Sequence, residues 1–346
     1  MEWGFMQAAS VTRGAIGLDE LAAWAHAHVA DAASPLAGRP YLLVRIGDSG
    51  RTPGAQDVAD IGRWLRAQPC PVLGIADAGA HELLQRSCDL VSADEAALGA
   101  AMDNIRHSPL AAMVLVQVLR VTEQMPVEHA LTVESLAYAT LQGGEEHRRW
   151  LAARTPRNRP AARDPGPAVL VERTGNEVEI RLNRPSRRNP LSIEMRDGLC
   201  EALELVAADP SIARARIAGN GDAFCSGGDL DEFGATPDTA TAHAVRSLRL
   251  PAATLQRCVD RVEFRVHGAC IGAGIELPAF APTVRARRDA FFQLPEIRMG
   301  LIPGAGGCAS IPRRIGRQRT ALMALSAARI DAPTALAWGL IDAIED

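Results

Sequence analysis

"HGACIGAGIELPAF", residues 267–280, is the stretch on which the fold turns. Gly268, Gly272 and Gly274 lie close together and run into an apolar segment that carries one acid, Glu276. Glycine tolerates positive φ and lets other groups approach the backbone amides closely. Where such a turn opens a helix, the unpaired amides and the helix dipole both favour negative charge. Two amides from separate turns, aimed at one point, make an oxyanion hole. The segment therefore reads as backbone stripped so that its amides reach a substrate oxygen, with Glu276 facing the bound molecule one turn later. Taken alone, the same residues read equally well as a tight packing turn beside a structural glutamate.

Its company favours the chemical reading. "AFCSGGD" (223–229) and "LPEIRMGLIPGAGG" (294–307) again set glycine beside an acid. Upstream, "VLVERTGNEVEIRLNR" alternates as two strands around the turn Thr174-Gly175-Asn176, with Val178, Ile180 and Leu182 on one face. Ser192 then stands as the N-cap of a helix bearing Met195, Leu199, Leu203 and Val206 at helical spacing. A short strand near 213–218 follows. Strand, helix and strand in that order need a crossover, so the arrangement is a mostly parallel, layered α/β fold.

Composition narrows the function classes. A chain of 346 residues, 47% hydrophobic and 23% charged, has an ordinary globular composition and length for two domains. A net charge of -4 provides no polycationic face, which argues against nucleic acid as a partner. All 37 basic residues are arginine, so this chain has no Schiff-base or Walker lysine. Its 7 cysteines form no C-x-x-C pair, which fits reduced thiols better than disulfides or a zinc site. No apolar run reaches the roughly 18 residues of a membrane span, and no signal-type segment opens the chain. The expectation is a cytoplasmic protein with no metal and no membrane partner.

"RTPRNRPAARDPGPA" (154–168), rich in proline and arginine, reads as an extended, solvated linker. It divides the chain into 1–153 and 169–346. The first part has a similar rhythm but poorer chemistry. "YLLVRIG" (41–47) and "CPVLGIAD" (70–77) read as buried strands with a helix near 55–67 between them. From Ser108 to Arg154 the pattern is helical, punctuated by Pro109 and Pro126. The order of elements in 41–100 loosely parallels that in 213–295, as a degenerate duplication would.

From about Val169 to Asp346 the chain resembles the crotonase (enoyl-CoA hydratase/isomerase) superfamily. "NRPSRRNPLS" (183–192) resembles that family's loop bordering coenzyme A, and "AFCSGGD" its first oxyanion segment. "GAGIE" resembles its G-G-G-x-E helix start, and "LPEIRMGLIPGAGG" its P-E-x-x-x-G-x-x-P-G-x-G-G run. The resemblance implies a crotonase-like ββα spiral, with oxyanion amides at Gly228 and Ala273 and acid/base glutamates at Glu276 and Glu296. It implies an acyl-CoA thioester as substrate, coenzyme A being part of that substrate and not a prosthetic group. Contacts to coenzyme A would come from Ala223, Cys225 and the arginines Arg184, Arg187 and Arg188. It also implies a homo-oligomer, a trimer or hexamer. The first half would be a second, degenerate and non-catalytic copy, since residues 89–151 resemble, more weakly, the closing strand and helices of such a domain. The chain ends at "GLIDAIED", where the family usually continues with helices that close the site, so the first half is expected to lend them.

Two features depart from the family pattern. Glu263 and Arg265 interrupt the apolar strand "RVEFRV", and Pro278 stands where the helix after Glu276 should run on. Hydration of an enoyl thioester is the leading expectation; isomerisation, decarboxylation and a catalytically inactive acyl-CoA-binding scaffold are the alternatives. "GACIGAG" has the wrong order for a dinucleotide turn. Cys225 with His267 as a cysteine hydrolase, and His26 with His28 as a metal pair, have plainer readings as core packing and an exposed helix face.

Overall fold

The computed structural model describes residues 14–29, 32–47, 54–77, 79–154 and 164–346. Most of the expected linker, residues 155–163, lies outside these.

The first half comprises α1 (Leu18–His26), β1 (Leu42–Arg45), α2 (Ala55–Ala67), β2 (Val72–Ile75), α3 (Glu82–Ser87) and β3 (Leu90–Ser92), then the helices α4 (Gly99–His107), α5 (Pro109–Thr122), α6 (Val127–Gln142) and α7 (Glu145–Ala153). Pro109 opens α5 and Pro126 caps α6, positions where a missing amide donor does no harm. Strands β1, β2 and β3 form a small parallel sheet in that order.

The second half begins with the hairpin β4 (Val169–Thr174) and β5 (Glu177–Leu182), followed by α8 (Ile193–Ala208), β6 (Arg214–Gly219), α9 (Thr239–Arg249) and α10 (Pro251–Gln256). Then come β7 (Val262–Val266), β8 (Ala269–Ile271), α11 (Ala273–Glu276), β9 (Thr283–Arg287) and β10 (Phe291–Gln293). The chain closes with α12 (Gly307–Ser326), β11 (Ile330–Asp331), α13 (Ala332–Trp338) and β12 (Ala343–Glu345). Ser192 caps α8 through its side chain, as the sequence predicts. Six strands form one sheet in the order β12-β9-β7-β6-β5-β4, parallel except for the β4–β5 hairpin. A second sheet, β11-β10-β8, carries the segments that reach the candidate site.

The charged residues on β7 have a structural explanation. Val262, Phe264 and Val266 point into the core, whereas Glu263 and Arg265 lie on the opposite face. There Glu263 pairs with Arg265 at 2.9 Å and with Arg285 of β9 at 3.5 Å. Pro278 limits α11 to a single turn, which continues as a 3-10 turn over Pro278–Phe280.

One hydrophobic core spans both halves: it contains Leu90, Ile105, Leu115 and Leu131 together with Phe264, Phe292, Ile311 and Ile315. A smaller cluster belongs to the first half alone and includes Leu21, Val44, Ile61 and Leu65. Helix α12 is seated in the first half along its whole length. Near its start, the amides of Gly306 and Cys308 donate to Glu134. Beyond a break at Gly316 (φ 79°), the guanidinium of Arg317 bonds Asp89 at 2.7 Å and the Cys88 carbonyl at 3.0 Å. At its end, Asn104 donates to the carbonyls of Leu325 and Ser326 at 2.8 and 2.9 Å. These last carbonyls are the ones a helix cannot satisfy internally.

Candidate active site

The site begins where two loops are stitched together. Residues 223–229 run beside β8: the Cys225 amide donates to Ala269 at 3.1 Å, and the Ile271 amide donates to Cys225 at 3.0 Å. Gly274 must lack a side chain, because a β-carbon there would stand 2.5 Å from the Cys225 carbonyl oxygen. Gly272 adopts φ 52° and ψ -120°, a reversal that turns β8 into α11. A β-carbon on Gly272 would lie 2.7 Å from Oε1 of Glu296, 3.6 Å from Oε1 of Glu276 and 3.6 Å from the α-carbon of Gly227. The two glutamates that the sequence singled out therefore converge on one vacated position, beside the loop that carries Gly228.

Among the described residues, the amides of Gly228 and Ala273 donate to no protein acceptor. Ala273 is the first residue of α11, where a helix leaves its amides unpaired. Phe233 packs against Gly228, within 2.9 Å of where a β-carbon would stand. That ring meets Trp150 and His147 of α7, with centroids 5.9 and 6.4 Å away, so the first half covers this turn.

The glutamates differ in how they are held. Glu276 is buried, and its Oε2 accepts the amides of Ala305 and Gly307 at 2.8 and 2.9 Å. Burial pushes its carboxyl up to about 7, against the pull of those amides. Glu296 opens the 3-10 turn Glu296–Met299, and its buried Oε2 has no hydrogen-bond partner. Burial first, and then the neighbouring charge of Glu276, push Glu296 well above the ordinary carboxylate range.

The structure adds two side chains that the sequence reading passed over. Glu134, on α6, is buried and accepts the Gly306 and Cys308 amides at 2.7 Å each. Tyr138, one turn later, lies against Gly304 and under the guanidinium of Arg246, whose centre is 4.6 Å from the ring centroid. A signal existed in the sequence: Glu134 and Tyr138 continue the buried stripe of Ala130 and Leu131 at helical spacing, and an acid on such a stripe needs partners.

The candidate coenzyme A contacts fare unevenly. Arg184 pairs with Glu194 at 2.5 Å, and Arg187 pairs with Asp229 at 2.8 Å and Asp231 at 3.1 Å. Arg188 is exposed, takes φ 63° and, among the described residues, has no side-chain partner. Ala223 is buried, its carbonyl accepting from Asn189 at 2.9 Å. Cys225 is buried with its thiol pushed up to about 12, which disqualifies it as a nucleophile at neutral pH. His267 turns away to the Gly221 carbonyl at 2.8 Å. Among the described residues, no group of acids, histidines and cysteines could hold a metal, and no helix is long and apolar enough to cross a membrane.

Residues 172–345 match the family model described as Enoyl-CoA hydratase/isomerase. The chain belongs to this family. Among curated proteins, it is 35% identical over 173 residues to a 2,3-dehydroadipyl-CoA hydratase of Escherichia coli, covering 50% of this chain and 67% of that one. It is 34% identical to a 1,2-epoxyphenylacetyl-CoA isomerase of Escherichia coli (49% of this chain, 66% of that one). It is 30% identical to a mevalonyl-coenzyme A hydratase of Aspergillus fumigatus (48% of this chain, 61% of that one). A solved enoyl-CoA hydratase structure from Mycobacterium smegmatis aligns with a TM-score of 0.48 at 32% identity, covering 52% of this chain and 70% of that one. The aligned segment thus spans 61% to 67% of these curated relatives. Gly228, Ala273, Glu276 and Glu296 all fall within the enoyl-CoA hydratase/isomerase match, whereas Glu134 and Tyr138 precede it.

Proposed function

We propose that the protein adds water to, or removes it from, an enoyl-CoA thioester, passing through an enolate held by the amides of Gly228 and Ala273. The observation that carries this reading is the convergence of Glu276 and Glu296 on the space left open at Gly272, next to both loops. In the hydration direction, Glu276 ionises more readily and takes a proton from water as its oxygen bonds to Cβ. The C=C electrons move to the thioester oxygen, where unpaired amides offset the developing charge. Glu296, still protonated, delivers its proton to Cα, and the thioester carbonyl re-forms. Solvent exchange returns the proton from Glu276 to Glu296, so the net change is addition of water across the double bond. Two acids whose surroundings set their protonation apart suit this division of labour.

The same reading takes Arg188 as the arginine available to a coenzyme A phosphate, with Ala223 and Cys225 lining the approach through their backbone. It takes residues 1–153 as a degenerate counterpart of the second half. In support, α3 lies between the parallel strands β2 and β3, much as α11 lies between β7 and β9. Glu82 on α3 is exposed and paired with Arg86 at 2.5 Å, in no position to serve a buried reaction.

The test is a panel of enoyl-CoA and 3-hydroxyacyl-CoA esters, followed by loss or gain of the enoyl absorbance and by product mass. Wild type should interconvert at least one pair. Glu276→Gln and Glu296→Gln should each lower kcat by about 10²–10⁴-fold, the usual contribution of a general acid or base. Turnover unaffected by both substitutions would sink the assignment. Tight binding of the esters without any turnover would turn the reading toward an acyl-CoA-binding scaffold.

A further inference from the structure

We infer that Glu134, from the half of the chain outside the family match, is a positioning residue for Glu276. This inference rests on the reading above, in which Glu276 handles the proton of water.

The geometry is an alternation. Four successive amides at the start of α12 are shared between two carboxylates from opposite halves: Ala305 donates to Glu276, Gly306 to Glu134, Gly307 to Glu276 and Cys308 to Glu134. All four bonds measure 2.7–2.9 Å. A helix leaves its first amides unsatisfied and carries partial positive charge at that end, so this turn attracts both acids. The groups around Glu134 are Glu276 and Glu296 from the second half, Cys308 of α12, Tyr138 of its own helix and Arg246 of α9. Arg246 is spent elsewhere, on Ser135, Gln142 and the Tyr138 ring.

The arrangement fixes where Glu276 can point. With Oε2 committed to Ala305 and Gly307, only Oε1 is free to face Gly272. Without Glu134, the Gly306 and Cys308 amides would be buried with no acceptor, a state a protein relieves by moving. Glu276, which already accepts the neighbouring Ala305 and Gly307 amides, is the other carboxyl group on that turn. Recruiting its second oxygen would draw it away from Gly272. The elements assigned to hold the thioester, Gly228 and Ala273, make no bond to Glu134, so binding and chemistry should separate.

The experiment uses the full-length protein with Glu134→Gln, whose carboxamide replaces one of the two accepting oxygens with an NH2 donor that faces an amide. Its kcat on the best enoyl-CoA should fall about ten- to a hundredfold, the scale of a misplaced catalytic group. The dissociation constant for butyryl-CoA, a saturated ester that cannot react, should stay within about threefold of wild type. Hydrogen exchange followed by mass spectrometry should show faster exchange in the peptide holding residues 304–308. Unchanged kcat, or kcat and binding falling together, overturns the inference. Should Glu134→Gln fail to fold, Glu134→Asp decides the question. It keeps both carboxyl oxygens on a shorter stem, so lowered kcat with preserved butyryl-CoA binding supports the role and wild-type kcat refutes it. If wild type turns over no ester, the hydratase reading is what fails. The exchange measurement still judges Glu134, and unchanged exchange in 304–308 overturns its hold on the turn.

Discussion

Glu276 and Glu296 are the same side chain under different constraints, and the proposed division of acid and base rests on that difference. Glu276 has one oxygen bonded to two amides, which favour its charged form; Glu296 has an enclosed oxygen with no donor at all. Burial raises both; two amides pull Glu276 back to about 7, whereas Glu296 is pushed well above the ordinary carboxylate range by burial and by that neighbouring charge. A base must be ionised and an acid protonated, so kcat/KM should rise with pH through about 7 and fall again at higher pH. The measurement is a pH–rate profile on the best substrate. In Glu296→Gln the residual activity should keep the rising limb and lose the falling one; a flat profile in wild type would contradict the assignment. Both residues were legible in the sequence because each stands in a glycine-framed motif. Glu134 was not, because nothing local marks it. Its partner amides lie 172 and 174 residues away, and only the folded chain brings them together.

At the scale of elements, α12 shows why the second half could be read from its motifs while its support could not. The run 294–307 announces the turn and the start of the helix, but much of what packs on the helix, from α4, α5, α6 and β3, lies outside the family match. The strongest of these contacts surrounds Asp89, which is 1% exposed. It accepts the Val72 amide at 2.8 Å, Arg317 at 2.7 Å and the Arg120 Nε at 2.9 Å. This carboxylate joins a sheet, α5 and α12 through two nearly buried guanidinium groups. Removing it leaves both cations without their shared counter-charge, which in buried pairs costs about 3–5 kcal/mol. Asp89→Ala should therefore lower the urea midpoint by that equivalent while leaving the denaturant slope unchanged. A loss within about 0.5 kcal/mol, typical of surface changes, would mean that the cluster contributes no net stability. The arginines of residues 184–188 make the complementary point. Their sequence reads as a phosphate-binding turn, yet Arg184 and Arg187 are committed to carboxylates supplied from α8 and the 229–231 turn. Sequence spacing carries no information about such partners.

For the whole molecule, the question is whether the segment matching the family can stand without what precedes it. Its hydrophobic core is continuous with that of the first half, so Ile311 and Ile315 of α12 belong to the same cluster as Leu115, Leu119 and Leu131. Separation would expose that face to water, strip the acceptors from Gly306 and Cys308, and leave Arg317 without Asp89. Each of these is unfavourable alone: apolar area returns to water at roughly 25 cal/mol per Å², and unpaired buried donors cost about 1–3 kcal/mol apiece. A domain's net stability is only about 5–15 kcal/mol, so the losses together are enough to unfold it. Residues 164–346 expressed alone should therefore be insoluble or lack a cooperative unfolding transition, and should show no thioester turnover. Co-expression with residues 1–154 as a separate chain should restore both, because the contacts between the halves are side-chain and helix-end bonds that survive a cut in the backbone. If the shorter fragment were instead to fold and turn over substrate at the full-length rate, the shared core and the Glu134 contacts would be dispensable, and the first half would need another purpose.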